Sequence, residues 1–352
     1  MLRMNGQISR TGIVLSNLQE AIRQFDESAD IYLKQIGNNE ILNPVQNGRR
    51  AGSMGINESI PPGFFAGFGI HSLILNAFHG RLSFSDLFNM DPGCENSVHH
   101  PWRGFMNELV VEDLKMLFRN CRIATFANRA GNCHVTDLWD SLRRDVIKPV
   151  GKRDADFIFY LTDYTGKSVF DMDDTLDIIS DFSLHGRVTL VLEENEAVGL
   201  CNGLNGRDTG FNFRNRYLQD LKGEFFSLFN TMSIDYLLIY SIDHALLFSK
   251  RDQFEIPGRI FYSRELLPLK EVWGDFNAGY SLGLLFRLDI RLCIALGLAV
   301  SGAHRENGSL PDREALALYI RERMAEPVTP ESTEMSFSKS LNLYSPAQIV
   351  HP

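Results

Sequence analysis

The hydrophobic positions of this chain follow two periods that take turns. Val111–Phe118 spaces its apolar residues as a helix does, and Ile123–Phe126 is a short apolar run of strand type. Val135–Val146 is amphipathic again, with Leu138, Leu142 and the adjoining Ile147 on one face. Asp156–Leu161 predicts a strand, Thr175–Phe182 a helix and Arg187–Leu192 a further strand. Tyr217–Met232 predicts a long helix that turns Leu218, Leu221, Phe225 and Leu228 inward. Ile234–Tyr240 and Ala245–Ser249 are strand-like, His304–Pro311 reads as a loop, and Asp312–Met324 predicts a final helix. Strands alternating with helices predict a mostly parallel sheet covered on both faces, with ligands beyond the carboxyl ends of its strands.

Before Val111 the pattern thins. Residues 1–11 are polar and read as a frayed end. Gly12–Leu15 suits a short strand and Leu18–Phe25 a helical turn or two. Asn38–Pro62, rich in Asn, Gly and Pro, predicts a loop or lid. Gly63, Gly67 and Gly69 then lead into the apolar run Ile70–Phe78, read as a helix behind a glycine loop that lets backbone approach a ligand closely. At the far end, residues 326–352 carry Pro, Ser and Thr throughout and predict an extended or disordered tail.

Composition narrows the function classes. The 352 residues suffice for one large α/β domain with a sizeable core. A net charge of −9 argues against nucleic acid as the main partner, though not against a nucleotide, which needs only a local positive field. Five scattered cysteines fit reduced thiols better than a disulfide framework. No apolar run is long enough to span a bilayer, so the expectation is a cytoplasmic protein without a membrane partner. Cys94, His99, His100, Cys133 and His134 match no compact zinc spacing. Gly166-Lys167-Ser168 resembles half a P-loop but has Leu161 where the motif needs glycine.

The chemistry concentrates in Val272–Gly302. Gly274-Asp275 stands directly before one helical run and Asp289 before another rich in small residues. Free amides in the first turn of a helix hold an anion such as a phosphate, and a carboxylate beside them can take a proton from an attacking hydroxyl. Those are the parts of phosphoryl transfer to an alcohol. An aspartate acting only as a helix cap is the alternative.

The block Gly274-Asp275-Phe276-Asn277-Ala278-Gly279, with Gly283-Leu284-Leu285 and Leu288-Asp289 after it, resembles the C-terminal signature of the ribokinase/PfkB carbohydrate kinases. The resemblance implies a ribokinase-like three-layer α/β/α sandwich as a single domain over residues 1–325. Lid elements would lie within 26–62, with Asp30–Ile36 and Glu40–Leu42 among them. It implies ATP-dependent phosphorylation of a sugar or nucleoside hydroxyl. Asp275 would then be the base, and the amides of Trp273, Gly274 and Phe276 the anion hole. Glu20, Gly67, Gly69 and Asp163 would line the substrate. Glu196, Asn277, His304 and Asn307 would lie on the nucleotide side, with Glu196 as the magnesium-linked acid. A lid-mediated homodimer is a further implication. The chain departs from the family pattern at Ser16, Ile74, Glu193 and Val272-Trp273, positions tied to substrate, magnesium and the anion hole. These departures leave open a second reading, a non-catalytic homologue acting as ligand sensor or partner subunit.

Overall fold

A single sheet of eight strands carries the architecture, in the order β2-β1-β3-β4-β5-β6-β7-β8. The computed structural model describes residues 32–36, 64, 68, 71–74, 111–129, 135–151, 154–162, 169–206, 218–241, 244–258 and 273–325. The strands are β1 (Tyr32–Ile36), β2 (His71–Ile74), β3 (Ile123–Arg129), β4 (Asp156–Thr162), β5 (Arg187–Glu193), β6 (Tyr236–Tyr240), β7 (His244–Ser249) and β8 (Gln253–Pro257). From β2 across to β6 all neighbours run parallel, and β7 and β8 close the far edge antiparallel. The parallel sheet expected from the alternation is therefore observed.

The helices are α1 (Val111–Asn120), α2 (Val135–Leu142), α3 (Val169–Asp181), α4 (Glu194–Leu204), α5 (Leu218–Thr231), α6 (Trp273–Leu285), α7 (Ile290–Asn307) and α8 (Arg313–Ala325). The helix begun by α2 passes through one π turn at Arg143–Ile147 before ending at Val150.

Why this makes three layers is visible on β4. Phe157, Phe159 and Leu161 point to one face and Ile158 and Tyr160 to the other, and all five are buried. The first face meets α1 to α5 through an aromatic knot in which Phe126, Trp139 and Phe182 surround Phe159. The second meets α6, α7 and α8. A strand apolar on both sides is what a parallel sheet between two helical layers requires. At the amino edge the register is pinned by chemistry as well. Asp156 and Arg187 are cross-strand partners, and the guanidinium donates to both carboxylate oxygens at 2.9 Å.

Two expectations are corrected here. Tyr32–Ile36, assigned to a lid, is an interior strand of the main sheet, hydrogen-bonded to β2 and β3. His71–Ile74, read as the start of a helix, is the parallel edge strand β2. Both are short and mix polar with apolar residues, and over so few positions periodicity alone does not fix the element. Glu40–Leu42, the segments proposed before Tyr32, the remainder of 37–62 and the tail 326–352 lie outside the described residues.

The last helical layer positions the candidate site. α6 and α7 form an antiparallel hairpin whose contact surfaces are glycine. A Cβ on Gly279 would stand 2.6 Å from the Leu296 carbonyl oxygen, and one on Gly283 2.7 Å from Cys293 Cα. Backbone therefore rests on backbone, and the helix spacing leaves no room for side chains. Asp289 caps α7 by accepting from Arg291 N–H at 2.9 Å, and Gly308 ends it in the left-handed conformation at φ 69°.

Candidate active site

Because the hairpin is antiparallel, the first turn of α6 meets the last turn of α7. Asp275 comes from the former and His304 from the latter, 29 residues apart, and His304 Nδ1–H donates to Asp275 Oδ2 at 2.6 Å. Asp275 is buried, while 30% of the His304 side chain is exposed. The acid is thus the buried member of the pair and the imidazole the more exposed one.

Packing holds the residue beside that carboxylate. Phe276, next in the chain, stacks on Tyr240 with ring centroids 4.3 Å apart and an interplanar angle of 10°. A Cβ on Gly297 of α7 would lie 2.9 Å from the same phenylalanine ring. The ring is thus held between the end of β6 and the α7 backbone. Tyr240 is in turn the cross-strand partner of Glu193, the last residue of β5. The carboxyl edge of the sheet and the start of α6 belong to one locality for this reason.

That edge is acidic. Glu193 ends β5, and Glu194 and Glu196 lie in the first turn of α4. Burial, then the charges of Glu196 and Glu194, push the Glu193 carboxyl up to about 7. From the next strand pair comes His244. It is nine-tenths buried, its Nδ1 lies 3.2 Å from Ser241 Oγ, and its Nε2 is 3.9 Å from Glu194 Oε2. The reversal of direction between β6 and β7 puts this histidine at the same edge as the carboxyl ends of β5 and β6.

Of the residues marked from sequence, Asp275, His304 and Phe276 are brought together, and Glu196 lies at the neighbouring strand end. Asn277 is buried in α6, and among the described residues its side-chain oxygen has no hydrogen-bond partner. Asn307 is exposed at the end of α7. Trp273 and Gly274 open α6, so their backbone lies in its first turn; the Trp273 side chain is outside the described residues. Glu20, Gly67, Gly69 and Asp163 also lie outside them. Phe64 and Phe68, which flank those glycines, are buried in the core of the α6–α8 side, with ring centroids 5.1 Å apart. Sequence reasoning missed Tyr240, Ser241 and His244. The only signal for them was their place at a strand end and a strand start.

Among the described residues no group of three or more His, Cys, Asp or Glu side chains is arranged to hold a metal ion. No described helix is long and apolar enough to cross a membrane.

Comparison with known proteins gives likeness in structure only. No family model matches the sequence, and no curated protein matches it. Among solved structures the chain is similar to the ribokinase of Thermotoga maritima, with 12% identity and a TM-score of 0.46 over 87% of this chain and 86% of that one. It is also similar to Arabidopsis thaliana ribokinase complexed with ribose and ATP, at 14% identity, TM-score 0.42 and 60% of each chain. A Methanocaldococcus jannaschii nucleoside kinase of the ribokinase family matches at 14% identity and TM-score 0.38, over 58% of this chain and 57% of that one. The chain thus spans less than two thirds of the length of the last two.

Proposed function

We propose that this protein is an ATP-dependent phosphotransferase acting on a hydroxyl group of a small sugar or nucleoside. The observation that carries the reading is Asp275. It is a buried carboxylate in the first turn of α6, beside the carboxyl ends of parallel strands, and it is hydrogen-bonded to an imidazole. The amides of that turn, at Trp273, Gly274 and Phe276, are assigned to the charge of a transferring phosphoryl group. Asp275 is the proton-accepting group, and His304 is its hydrogen-bond partner. Asn277, one position beyond Phe276, is assigned to the nucleotide side, and its buried oxygen, without a partner among the described residues, supports that assignment. Glu20, Gly67, Gly69 and Asp163 are assigned to the substrate side, and Asn307 with His304 to the nucleotide side.

Magnesium fits the acidic edge. Phosphate-handling sites hold it with one or two carboxylates and the phosphate oxygens, so no all-protein cage is called for. Burial, and after it the charges of Glu196 and Glu194, push the Glu193 carboxyl up to about 7, and a divalent cation would offset the crowded negative charge there. Glu196, with Glu193 beside it, would hold the ion. When bound, magnesium neutralises charge on the phosphates.

Two measurements test this. Magnesium and ATP together at millimolar concentration should raise the melting temperature by mass action, and Glu196→Gln should reduce that shift. Turnover is then sought on a panel of sugars and nucleosides. Asp275→Ala should lower kcat on the order of 100- to 10,000-fold, as loss of a proton-accepting unit does. Absence of both the thermal shift and turnover on the whole panel would leave the non-catalytic homologue as the better account.

A further inference from the structure

At the acidic edge of the sheet, His244 is held as metal-ligating histidines are. Its side chain is 10% exposed, and its two ring nitrogens have different surroundings. Nδ1 lies 3.2 Å from Ser241 Oγ, which orients the ring, while Nε2 is buried without a hydrogen-bond partner among the described residues. The direction of Nε2 is settled, because it faces Glu194 Oε2 at 3.9 Å. That distance is too long for a hydrogen bond. It is within the span of two donors on one ion, since bonds of about 2.0–2.2 Å to nitrogen and oxygen allow a separation of up to about 4 Å. One nitrogen tied to an outer partner and the other turned to a second ligand is the usual setting of a metal-bound imidazole. His185 makes the contrast. Its Nε2 is also buried without a partner among the described residues, but the charges of Arg143 and Lys148 act on that ring and would repel a cation.

We propose that His244 Nε2 and Glu194 Oε2 are the two protein donors of a divalent cation site of the zinc or cobalt type. Imidazole suits such ions, whereas magnesium prefers oxygen donors and keeps its waters. The site is distinct from the magnesium position assigned to Glu196. Glu194 and Glu196 stand two positions apart in α4, and residues so spaced do not face each other on a helix. The negative charge of Glu193 and Glu196 at the same edge draws a cation toward the pair. Two protein donors leave the remaining positions to water or to the oxygens of a bound ligand, as in an open metal site.

The test uses the full chain and the metal alone. Paramagnetic Co2+ is titrated in while the histidine ring resonances are followed by NMR. Those of His244 should shift or broaden before those of any other histidine, and Zn2+ should reverse the effect by displacement. Zn2+ at about 0.1 mM should raise the melting temperature by about 2 °C or more. His244→Gln and Glu194→Gln should each lose most of that rise, and His185→Gln should keep it. If His244→Gln fails to fold, Glu194→Gln at its partly exposed position carries the comparison, together with the wild-type NMR titration. A His244 ring that responds no earlier than the other histidines would overturn the proposal. So would a Zn2+ shift that survives in Glu194→Gln, or Mg2+ that displaces Co2+ as well as Zn2+ does at equal concentration. Neither nucleotide nor acceptor is present in these measurements, so their outcome stands apart from that of the phosphoryl-transfer reading.

Discussion

Glu193 shows how a single residue can record the charge of its surroundings. Its carboxyl is raised from 4.5 to about 7, by burial first and by Glu196 and Glu194 next. The folded chain therefore holds a proton between those values that the unfolded chain has released. The stability tied to this group is fully present below the unfolded value and is lost as pH rises through about 7. Glu193→Gln is neutral throughout, so its urea midpoint should fall less than that of the wild type between about pH 5 and about pH 8. Parallel pH slopes for the two proteins would show that Glu193 ionises as an exposed glutamate does. Phe276 offers a second prediction at this scale. Phe276→Ala should cost about 3–5 kcal/mol in urea denaturation, since it removes a buried ring held on two sides. It should also shift the His304 ring resonances, because Asp275 loses its clamp. At this scale the sequence told part of the story. Asp275 and Phe276 stood in a recognisable block, and His304 was marked for the nucleotide side. Their hydrogen bond was not readable, because it spans 29 residues and exists only through the antiparallel closure of two helices.

Among the elements, the α6–α7 hairpin is the one on which the candidate site depends. Gly279→Ala places a methyl against the Leu296 carbonyl and Gly297 Cα, at 2.6 and 2.7 Å, where only helix movement can make room. Overpacking of this kind typically costs about 1–3 kcal/mol, to be measured by chemical denaturation, and it should weaken the Asp275–His304 bond. Wild-type stability for Gly279→Ala would mean that the helices have slack. The glycines at 279 and 283, four apart on one helix face, with Gly297 on the next helix, were a readable sign of close approach. The strands from β3 to β7 were legible because apolar strand runs alternate with amphipathic helices, whereas the edge strand β8, only partly buried, was not read. The lid assignment failed at Tyr32–Ile36 and the helix assignment at His71–Ile74, where the runs are short. There, sheet hydrogen bonding decided what periodicity could not.

For the whole molecule, the sheet separates two cores with different duties. The aromatic knot of Phe126, Trp139, Phe157, Phe159 and Phe182 lies on the α1–α5 face, and the candidate site is built with the α6–α8 face. Trp139→Ala should cost about 3–5 kcal/mol in urea denaturation, yet leave the His304 resonances and any ATP-dependent thermal shift in place below the transition. Loss of the His304 signature in that variant, while it remains folded, would show that the two layers are mechanically coupled through the sheet.

The glycine seam sets more than a distance; it sets a phase. With backbone locked to backbone at Gly279 and Gly283, α7 cannot slide or roll to accommodate a change further along its length. One residue inserted between Gly297 and His304 would rotate everything beyond it by about 100°, and the imidazole would face away from Asp275. The same residue inserted after Gly308, where the helix has already ended, would leave that angular setting untouched. Length variation in this part of the chain should therefore be tolerated beyond the cap and forbidden inside the locked turns.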